Sequence, residues 1–273
     1  MTTATTVLAG MLEALRRARV YDLEQPRYAG APTFAAHQPG FLYSLHRRHE
    51  AGLGEARTSA SGIIVTVEHS GTHIDALCHQ AEDLEMYGGR RVDATVQSAS
   101  GFTELGVETI APMMTRGVLI DVARHRGVAR LPAGEPVAAD ELRAAAAAQG
   151  VSVGRGDVVL VRTGNGSQWR DADEYVRGPG LSAEASEWLA GLDLLAVGAD
   201  NVAWDVIETV EPHRGSLPGH VVLLVRRGIY IVENLLLEEL AADGRHEFLF
   251  VCLPLKMVGV TGSPVRPLAV VPA

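Results

Sequence analysis

The sequence predicts an α/β protein, because short apolar segments typical of strands alternate along the chain with segments typical of helices. The strand segments are rich in Val, Ile and Leu and are bounded by Gly, Asp or Asn. Several are apolar without interruption, as in strands that are covered on both faces. These segments are GIIVTVEH (62–69), GVLIDVA (117–123), DVVLVRTG (157–164), LDLLAVGAD (192–200), GIYIVENL (228–235) and HEFLFVCLPL (246–255).

Two helices are predicted between the strands. The alanine-rich segment 139–150 ends at Gly150, which suits the position just after a helix. The segment 181–191 contains Ser182, a favourable N-cap residue, and ends at Gly191. The mixture of helices with buried strands therefore favours a sheet flanked by helices.

The N-terminal region is predicted to contain an amphipathic helix, followed by a proline-rich loop at 21–41. Loops of this length in compact proteins are usually functional or disordered. Its aromatic side chains, Tyr28, Phe34 and Phe41, are candidates for the wall of a substrate pocket, although ordinary packing explains each of them equally well. With no linker or repeat in the sequence, residues 1–273 are expected to form one domain.

Composition excludes several classes of function. The 273 residues carry a net charge of −9, which argues against nucleic acid or an anionic membrane surface as a partner. No apolar run approaches the roughly 20 residues that a membrane span needs. The two cysteines, Cys78 and Cys252, lie far apart in the sequence, so a disulfide framework is not expected. We therefore expect a soluble, cytoplasmic protein with a small-molecule substrate.

The segment VEHSGTHIDALCHQ (67–80) places His69, His73, Asp75 and His79 close together. His73 and Asp75 are two residues apart and share one side of an extended segment. Imidazole and carboxylate together suit Zn²⁺, Mn²⁺ or Fe²⁺ better than Ca²⁺ or Mg²⁺. Hydrogen-bonding histidines in a turn are the alternative, but this close spacing favours a metal or catalytic site.

The same residues carry a resemblance to a known family. HSGTHIDALCH resembles the H-x-G-T-H-x-D-x-x-x-H signature of the cyclase-type metal-dependent hydrolases, which include bacterial kynurenine formamidase and isatin hydrolase. Further segments, from YDLEQP near the N-terminus to LPLKMVGVTGSPVRPLAVV near the C-terminus, recur in the family's order. The resemblance implies a swivelling β/α/β domain with a mixed central sheet and flanking helices, in a homodimer or homotetramer.

The resemblance also implies a role for each residue of the motif. His69, His73 and Asp75 match the ligands of a first metal ion, and His79 matches the residue proposed as the general acid and base.

A second ion is implied by residues later in the chain. Glu233 matches a ligand of that ion, and His220 matches another, with His213 as a competitor because the spacing varies in this segment. One departure from many formamidases is Leu77, which stands where they have proline, and this difference argues against assuming their substrates.

The residues and the resemblance together predict a metal-dependent hydrolase with one or two Mn²⁺ or Zn²⁺ ions. Such an ion acidifies bound water and polarises a carbonyl group. The expected reaction opens an amide, lactam, formamide or lactone. A metal-dependent cyclase or dehydratase, and a non-catalytic binding protein on the same fold, are the alternatives.

Overall fold

The fold is described from a computed structural model, which covers residues 4–52, 55–207, 210–211 and 215–272. Its strands are β1 (Arg19–Asp22), β2 (Phe41–Arg47), β3 (Ser61–Thr66), β4 (His73–Asp75), β5 (Glu85–Met86), β6 (Arg90–Arg91), β7 (Gln97–Ser98), β8 (Gly101–Phe102), β9 (Met113–Asp121), β10 (Pro136–Val137), β11 (Val158–Arg162), β12 (Gly180–Leu181), β13 (Ala196–Ala199), β14 (Val210–Glu211), β15 (Gly215–Ser216), β16 (Tyr230–Glu233), β17 (Glu247–Cys252), β18 (Gly262–Pro264) and β19 (Leu268–Val271).

The remaining elements of the fold are helices. The α-helices are α1 (Ala4–Arg17), α2 (Val122–His125), α3 (Ala139–Ala148), α4 (Ala172–Val176), α5 (Ala183–Ala190), α6 (Pro218–His220) and α7 (Glu238–Ala242). Short 3₁₀ helices span Ala35–His37, Tyr87–Gly89, Val107–Thr109 and Asn165–Gln168, and a π-helical turn spans Val221–Val225.

A nine-stranded mixed sheet organises the molecule, in the order β1-β19-β17-β9-β11-β13-β16-β4-β18. The four central strands β9, β11, β13 and β16 are parallel. Every other strand pair within this nine-stranded sheet is antiparallel. This architecture confirms the predicted α/β class with a mixed central sheet and flanking helices.

The two faces of the sheet are covered by two hydrophobic clusters. In β11, Val158 and Leu160 belong to one cluster, whereas Val159 and Val161 belong to the other. This alternation follows from the two-residue period of side chains along a strand. Helices α3 and α5 contribute to the second cluster, and α7 contributes to the first. Both faces are therefore buried at the centre of the sheet, as continuously apolar strands require.

Most of the predicted elements are confirmed. Five of the six strand segments supply β9, β11, β13, β16 and β17 of the large sheet. Helix α5 begins after Ser182, whose hydroxyl accepts a hydrogen bond from the amide of Ala185, and α3 is followed by Gly150 with φ of +69°. Within the described residues, no helix is both long enough and apolar enough to cross a membrane.

The first strand segment is the exception. The segment 62–69 does contain a strand, β3, but this strand ends at Thr66 and pairs only with β2, outside the large sheet. All six residues of β3 are exposed, and Ile64 has 62% of its surface accessible. In the sequence, an apolar strand that remains exposed looks the same as an apolar strand that packs in the core. His69 accordingly lies in the turn that follows the hairpin rather than at a strand end.

Candidate metal centre

Strand β4 positions the centre of the site. It carries His73 and Asp75, and it lies between β16 and β18. The register places Glu233 opposite His73 on one side and Gly262 opposite Asp75 on the other. All three residues of β4 are buried, so its two polar side chains depend on one another and on their neighbours for compensation.

His73 is oriented by the backbone of the turn before it. Its Nδ1 lies 2.8 Å from the carbonyl oxygen of Gly71, and since that oxygen can only accept, Nδ1 carries the proton. In the neutral ring Nε2 is therefore left with a lone pair, and it lies 3.3 Å from Glu233 Oε2 and 3.5 Å from Asp75 Oδ1. Gly71 adopts φ of +62°, which permits the sharp turn at little steric cost.

His220 also approaches the carboxylates of Glu233 and Asp75. Its Nδ1 lies 2.8 Å from Asp205 Oδ2, and the same carboxylate accepts the backbone amide of Gly219 at 2.7 Å. Its Nε2 lies 3.3 Å from Glu233 Oε1 and 3.6 Å from Asp75 Oδ2. Asp205 thus holds His220 with Nε2 directed at the two carboxylates. The competing residue, His213, lies outside the described residues.

Three buried atoms at this point have no hydrogen-bond partner among the described residues. They are His73 Nε2, Asp75 Oδ2 and Glu233 Oε1. Burying such groups without compensation is costly, and several converging acceptors are compensated together by a cation. The donor set of imidazole nitrogen and carboxylate oxygen fits Zn²⁺, Mn²⁺ or Fe²⁺.

His69 closes the site on the β18 side. Its Nδ1 lies 2.8 Å from Asp75 Oδ1, and its Nε2 lies 2.9 Å from the hydroxyl of Thr261. The ring fits here because position 262 is glycine, where a Cβ would lie 2.6 Å from the imidazole. Any larger residue at 262 would displace His69.

His79 and His37 lie on the outer side of His69. The rings of His79 and His69 are stacked with centroids 3.9 Å apart, and the His37 ring lies 4.8 Å from that of His69. Within the cluster, only His79 and His37 are more than marginally exposed to solvent. The path from solvent to the buried carboxylates therefore passes these two rings.

Groups of ligand atoms recur within this cluster. The atoms of each group lie within 4.8 Å of one another, and the groups are His37 with His69 and His79, His69 with His73 and Asp75, and Asp75 with His79 and His220. His37 was not among the predicted site residues. Its only signal in the sequence was a histidine in the proline-rich loop.

Comparison with known proteins places this geometry in a family. Residues 21–206 match the protein family described as "Putative cyclase". The chain belongs to the cyclase family. It is 28% identical over 281 residues to an isatin hydrolase from Roseibium aggregatum, with 97% of this chain and 94% of that protein covered. It is 26% identical over 253 residues to a kynurenine formamidase from Sphingopyxis alaskensis, with 91% and 96% covered.

A solved structure gives the same result for the fold. The chain resembles a crystal structure of a novel cyclase with a TM-score of 0.83 and 28% identity, over 98% of this chain and 91% of that one. The predicted family and fold are confirmed.

The electrostatics of the cyclase-family site divide its histidines into two groups. Burial lowers the pKa of His79 to about 3, and burial together with the nearby histidines also lowers the pKa of His69. Burial acts in the same direction on His73 and His220, but the carboxylate of Glu233, with Asp75 or Asp205, outweighs it and raises their pKa. The outer histidines therefore favour the neutral form, whereas the inner ones favour a positive charge.

The three predicted aromatic residues occupy different places in this protein. Phe34 lies beside the metal centre, with its ring centroid 5.9 Å from that of His37. Tyr28 packs away from it, where its hydroxyl donates to the carbonyl of Trp169 at 2.8 Å. Phe41 begins the exposed hairpin, opposite Thr66. Among the three, Phe34 is best placed to contact a substrate.

Proposed function

We propose that this protein is a hydrolase that uses one or two divalent ions, Mn²⁺ or Zn²⁺. The bond it breaks is the C–N bond next to the carbonyl group of an amide, formamide or lactam, or the corresponding C–O bond of a lactone. The observation that carries this proposal is the convergence of His73 Nε2, Asp75 Oδ2 and Glu233 Oε1, all buried and without a hydrogen-bond partner in the described part of the chain. Bound ions would acidify water and polarise the carbonyl group of the substrate.

The ligands divide into two overlapping sets. His69, His73 and Asp75 would hold the first ion, and His220 with Glu233 would hold the second. The two oxygens of Asp75 approach different histidines, Oδ1 facing His69 and His73 and Oδ2 facing His220. A carboxylate between two ligand sets suits a bridging role in a site with two ions.

His79 would move the proton. Its pKa of about 3 keeps the ring neutral at pH 7, and its ring lies on the solvent side of the cluster. A neutral imidazole there accepts a proton from the attacking water while the new C–O bond forms. It then returns that proton to the leaving nitrogen or oxygen as the old bond breaks. The products are a carboxylate and an amine or alcohol.

The substrate is a small molecule that passes His37 and His79 and contacts Phe34. The names of the relatives, isatin hydrolase and kynurenine formamidase, support a cyclic or acyclic amide attached to an aromatic ring. Leu77 stands where many formamidases have proline, so their substrates are not assumed for this protein.

We also propose that the protein forms a homodimer or homotetramer. The hairpin of β2 and β3 exposes Tyr43, Ile63, Ile64 and Val65, each with more than half of its surface accessible. Contiguous exposed apolar surface of this kind marks an interaction site in a folded protein. A second copy of this chain would cover it.

A substrate panel tests the proposed reaction. Purified protein loaded with Mn²⁺ or Zn²⁺ is incubated with cyclic imides, lactams, lactones and N-formyl aromatic amines, and products are identified by mass spectrometry. Addition of one water to at least one class is the expected result. An isomer, or loss of water, would instead identify a cyclase or dehydratase, and no turnover of any class with metal bound would favour a binding protein.

Two variants assign the roles within that assay. His73→Ala should lose bound metal and activity together, because it removes a ligand. His79→Ala should keep its metal and slow turnover by roughly 10²–10⁴-fold, as expected for loss of a proton-transfer group. Full metal content in His73→Ala, measured by elemental analysis, would contradict the ligand assignment.

A further inference from the structure

A chain of hydrogen bonds outside the metal ligands connects Glu68, Thr261 and His69. The Oε2 atom of Glu68 accepts from the Thr261 hydroxyl at 2.6 Å, from the Thr261 amide at 2.6 Å and from the Gly262 amide at 2.9 Å. The Thr261 hydroxyl oxygen in turn lies 2.9 Å from His69 Nε2.

The protons in this chain can be counted. Two backbone amides already donate to Oε2 of Glu68, so this oxygen is an acceptor, and the short contact with Thr261 requires the hydroxyl proton. A hydroxyl group has only one proton to donate. The Thr261 oxygen can therefore only accept from His69, which places the imidazole proton on Nε2.

The position of this proton determines the state of the other ring nitrogen of His69, Nδ1. A histidine that binds metal is neutral and has a single N–H. If that proton is on Nε2, then Nδ1 presents a lone pair to Asp75 Oδ1, which lies 2.8 Å away. Two acceptors at this distance repel one another unless a cation is bound by both.

We propose that Glu68 and Thr261 fix the tautomer of His69, so that Nδ1 binds the same divalent ion as Asp75. This inference rests on the metal site of the proposed function and assigns Glu68 and Thr261 as positioning residues. A hydrogen bond to the remote nitrogen sets which nitrogen of a histidine binds metal, and it raises the basicity of the ligand.

The other two histidine ligands have the opposite arrangement. His73 donates its Nδ1 proton to Gly71 and His220 donates its Nδ1 proton to Asp205, so each presents Nε2 to the carboxylates. His69 is thus the one histidine among these three that would bind through Nδ1. The hydroxyl of Thr261, which lies 2.9 Å from His69 Nε2, accounts for this difference.

Nuclear magnetic resonance tests the tautomer directly. In ¹⁵N-labelled wild-type protein loaded with Zn²⁺, long-range ¹H–¹⁵N correlations should show His69 protonated at Nε2. His73 and His220 should be protonated at Nδ1 in the same sample. A proton on Nδ1 of His69 would overturn the proposal, and this measurement needs no variant to fold and no substrate.

Variants at position 261 test the effect on metal binding. Thr261→Val removes the hydroxyl with little change of shape, and it should weaken Zn²⁺ binding about 10–100-fold, as measured by competition with a chelating dye. Thr261→Ser should restore most of the affinity. Thr115→Val is a matched control, since this hydroxyl donates to the carbonyl of Gly156 at 3.0 Å, away from the site.

The outcomes separate this proposal from the proposed function. Wild-type affinity in Thr261→Val would overturn the role of the hydroxyl, whatever the activity. If Thr261→Val does not fold, the wild-type tautomer and the affinity of Thr261→Ser decide. Wild-type protein that binds Zn²⁺ with the expected tautomer but hydrolyses no substrate would refute the proposed function alone. Failure of the wild type to bind metal would refute both.

Discussion

His37 shows how one residue outside the motif can take part in the site. Its ring faces His69 and Phe34, and its two nitrogens form no hydrogen bond within the described part of the chain. Unlike His73, it has no carboxylate within ion-pair distance there. These contacts favour a role in binding substrate rather than metal.

His37→Ala should therefore raise KM about tenfold, which corresponds to the loss of one hydrogen bond of about 1.4 kcal/mol. The metal content should stay at the wild-type level. His125→Ala, a change of an exposed histidine at the end of α2, serves as the control and should alter neither quantity. Loss of metal from His37→Ala on elemental analysis would make His37 a ligand instead.

The inner histidines should make metal binding depend on pH. The carboxylates around His73 and His220 raise their pKa above 6.5, so both rings still hold protons at a pH where free histidine has lost them. Metal binds only the neutral ring. Affinity should consequently fall as pH is lowered, and the fall should begin above pH 6.5.

Calorimetry at pH 7.5 in two buffers with different ionisation enthalpies measures this effect as protons released per ion bound. Asp205→Asn should release fewer protons, because Asp205 raises the pKa of His220. Metal-bound water also releases a proton, but that proton should persist in the variant. An equal binding enthalpy in both buffers would show that the rings are already neutral.

At the scale of secondary structure, local pattern predicted the elements that form the core. Strand β11 is apolar from Val158 to Val161 because both faces of the central sheet are covered, and helix α5 begins after Ser182, which caps it. Strand β3 has the same apolar pattern but is exposed. The sequence pattern shows that a segment is apolar, but it does not show whether the folded chain buries that segment.

Some residues of the site could likewise be predicted from local sequence, whereas others could not. Four of its side chains come from the local segment 67–80, where spacing alone indicated a shared role. Glu233 and His220 were predicted only through the family resemblance. His37, Thr261 and Asp205 were not predicted as parts of the site, because their contacts with it depend on the packing of segments that are far apart in the sequence.

The exposed hairpin carries a prediction for assembly. Ile64→Arg places a charge at the centre of the apolar surface of β3, where a partner copy would have to bury it. The proposed oligomer should dissociate towards smaller species, as measured by size-exclusion chromatography with light scattering. Val128→Arg, at another exposed apolar position, should leave the mass unchanged. An unchanged mass for Ile64→Arg would exclude the hairpin as the interface.

At the scale of the whole molecule, the metal centre joins segments that the sheet brings together. Strand β4 carries His73 and Asp75, β16 ends at Glu233, and His220 is held by the carboxylate of Asp205. Along the chain, more than a hundred residues separate Asp75 from His220. Folding therefore assembles the site, and an ion that binds only the assembled site must stabilise the folded state.

Both the sign and the magnitude of this stabilisation of the folded state by metal can be predicted. Without an ion, burial and the nearby Asp75 carboxylate oppose the ionisation of Glu233, and the side chains of His220 and His73 offset them and lower its pKa. Metal at one hundred times its dissociation constant should add about 2.7 kcal/mol to the free energy of unfolding. For a protein of this size, that corresponds to a rise in Tm of about 5–10 °C.

Differential scanning calorimetry measures this rise on chelator-treated protein before and after addition of Zn²⁺ or Mn²⁺. The shift should become smaller in His73→Ala, since that variant lacks a ligand of the first ion. It should remain in His79→Ala, because His79 moves protons and does not hold the ion. A Tm that does not respond to metal in the wild type would mean that the buried carboxylates are compensated by protons instead, and the assignment of a metal centre would then be wrong.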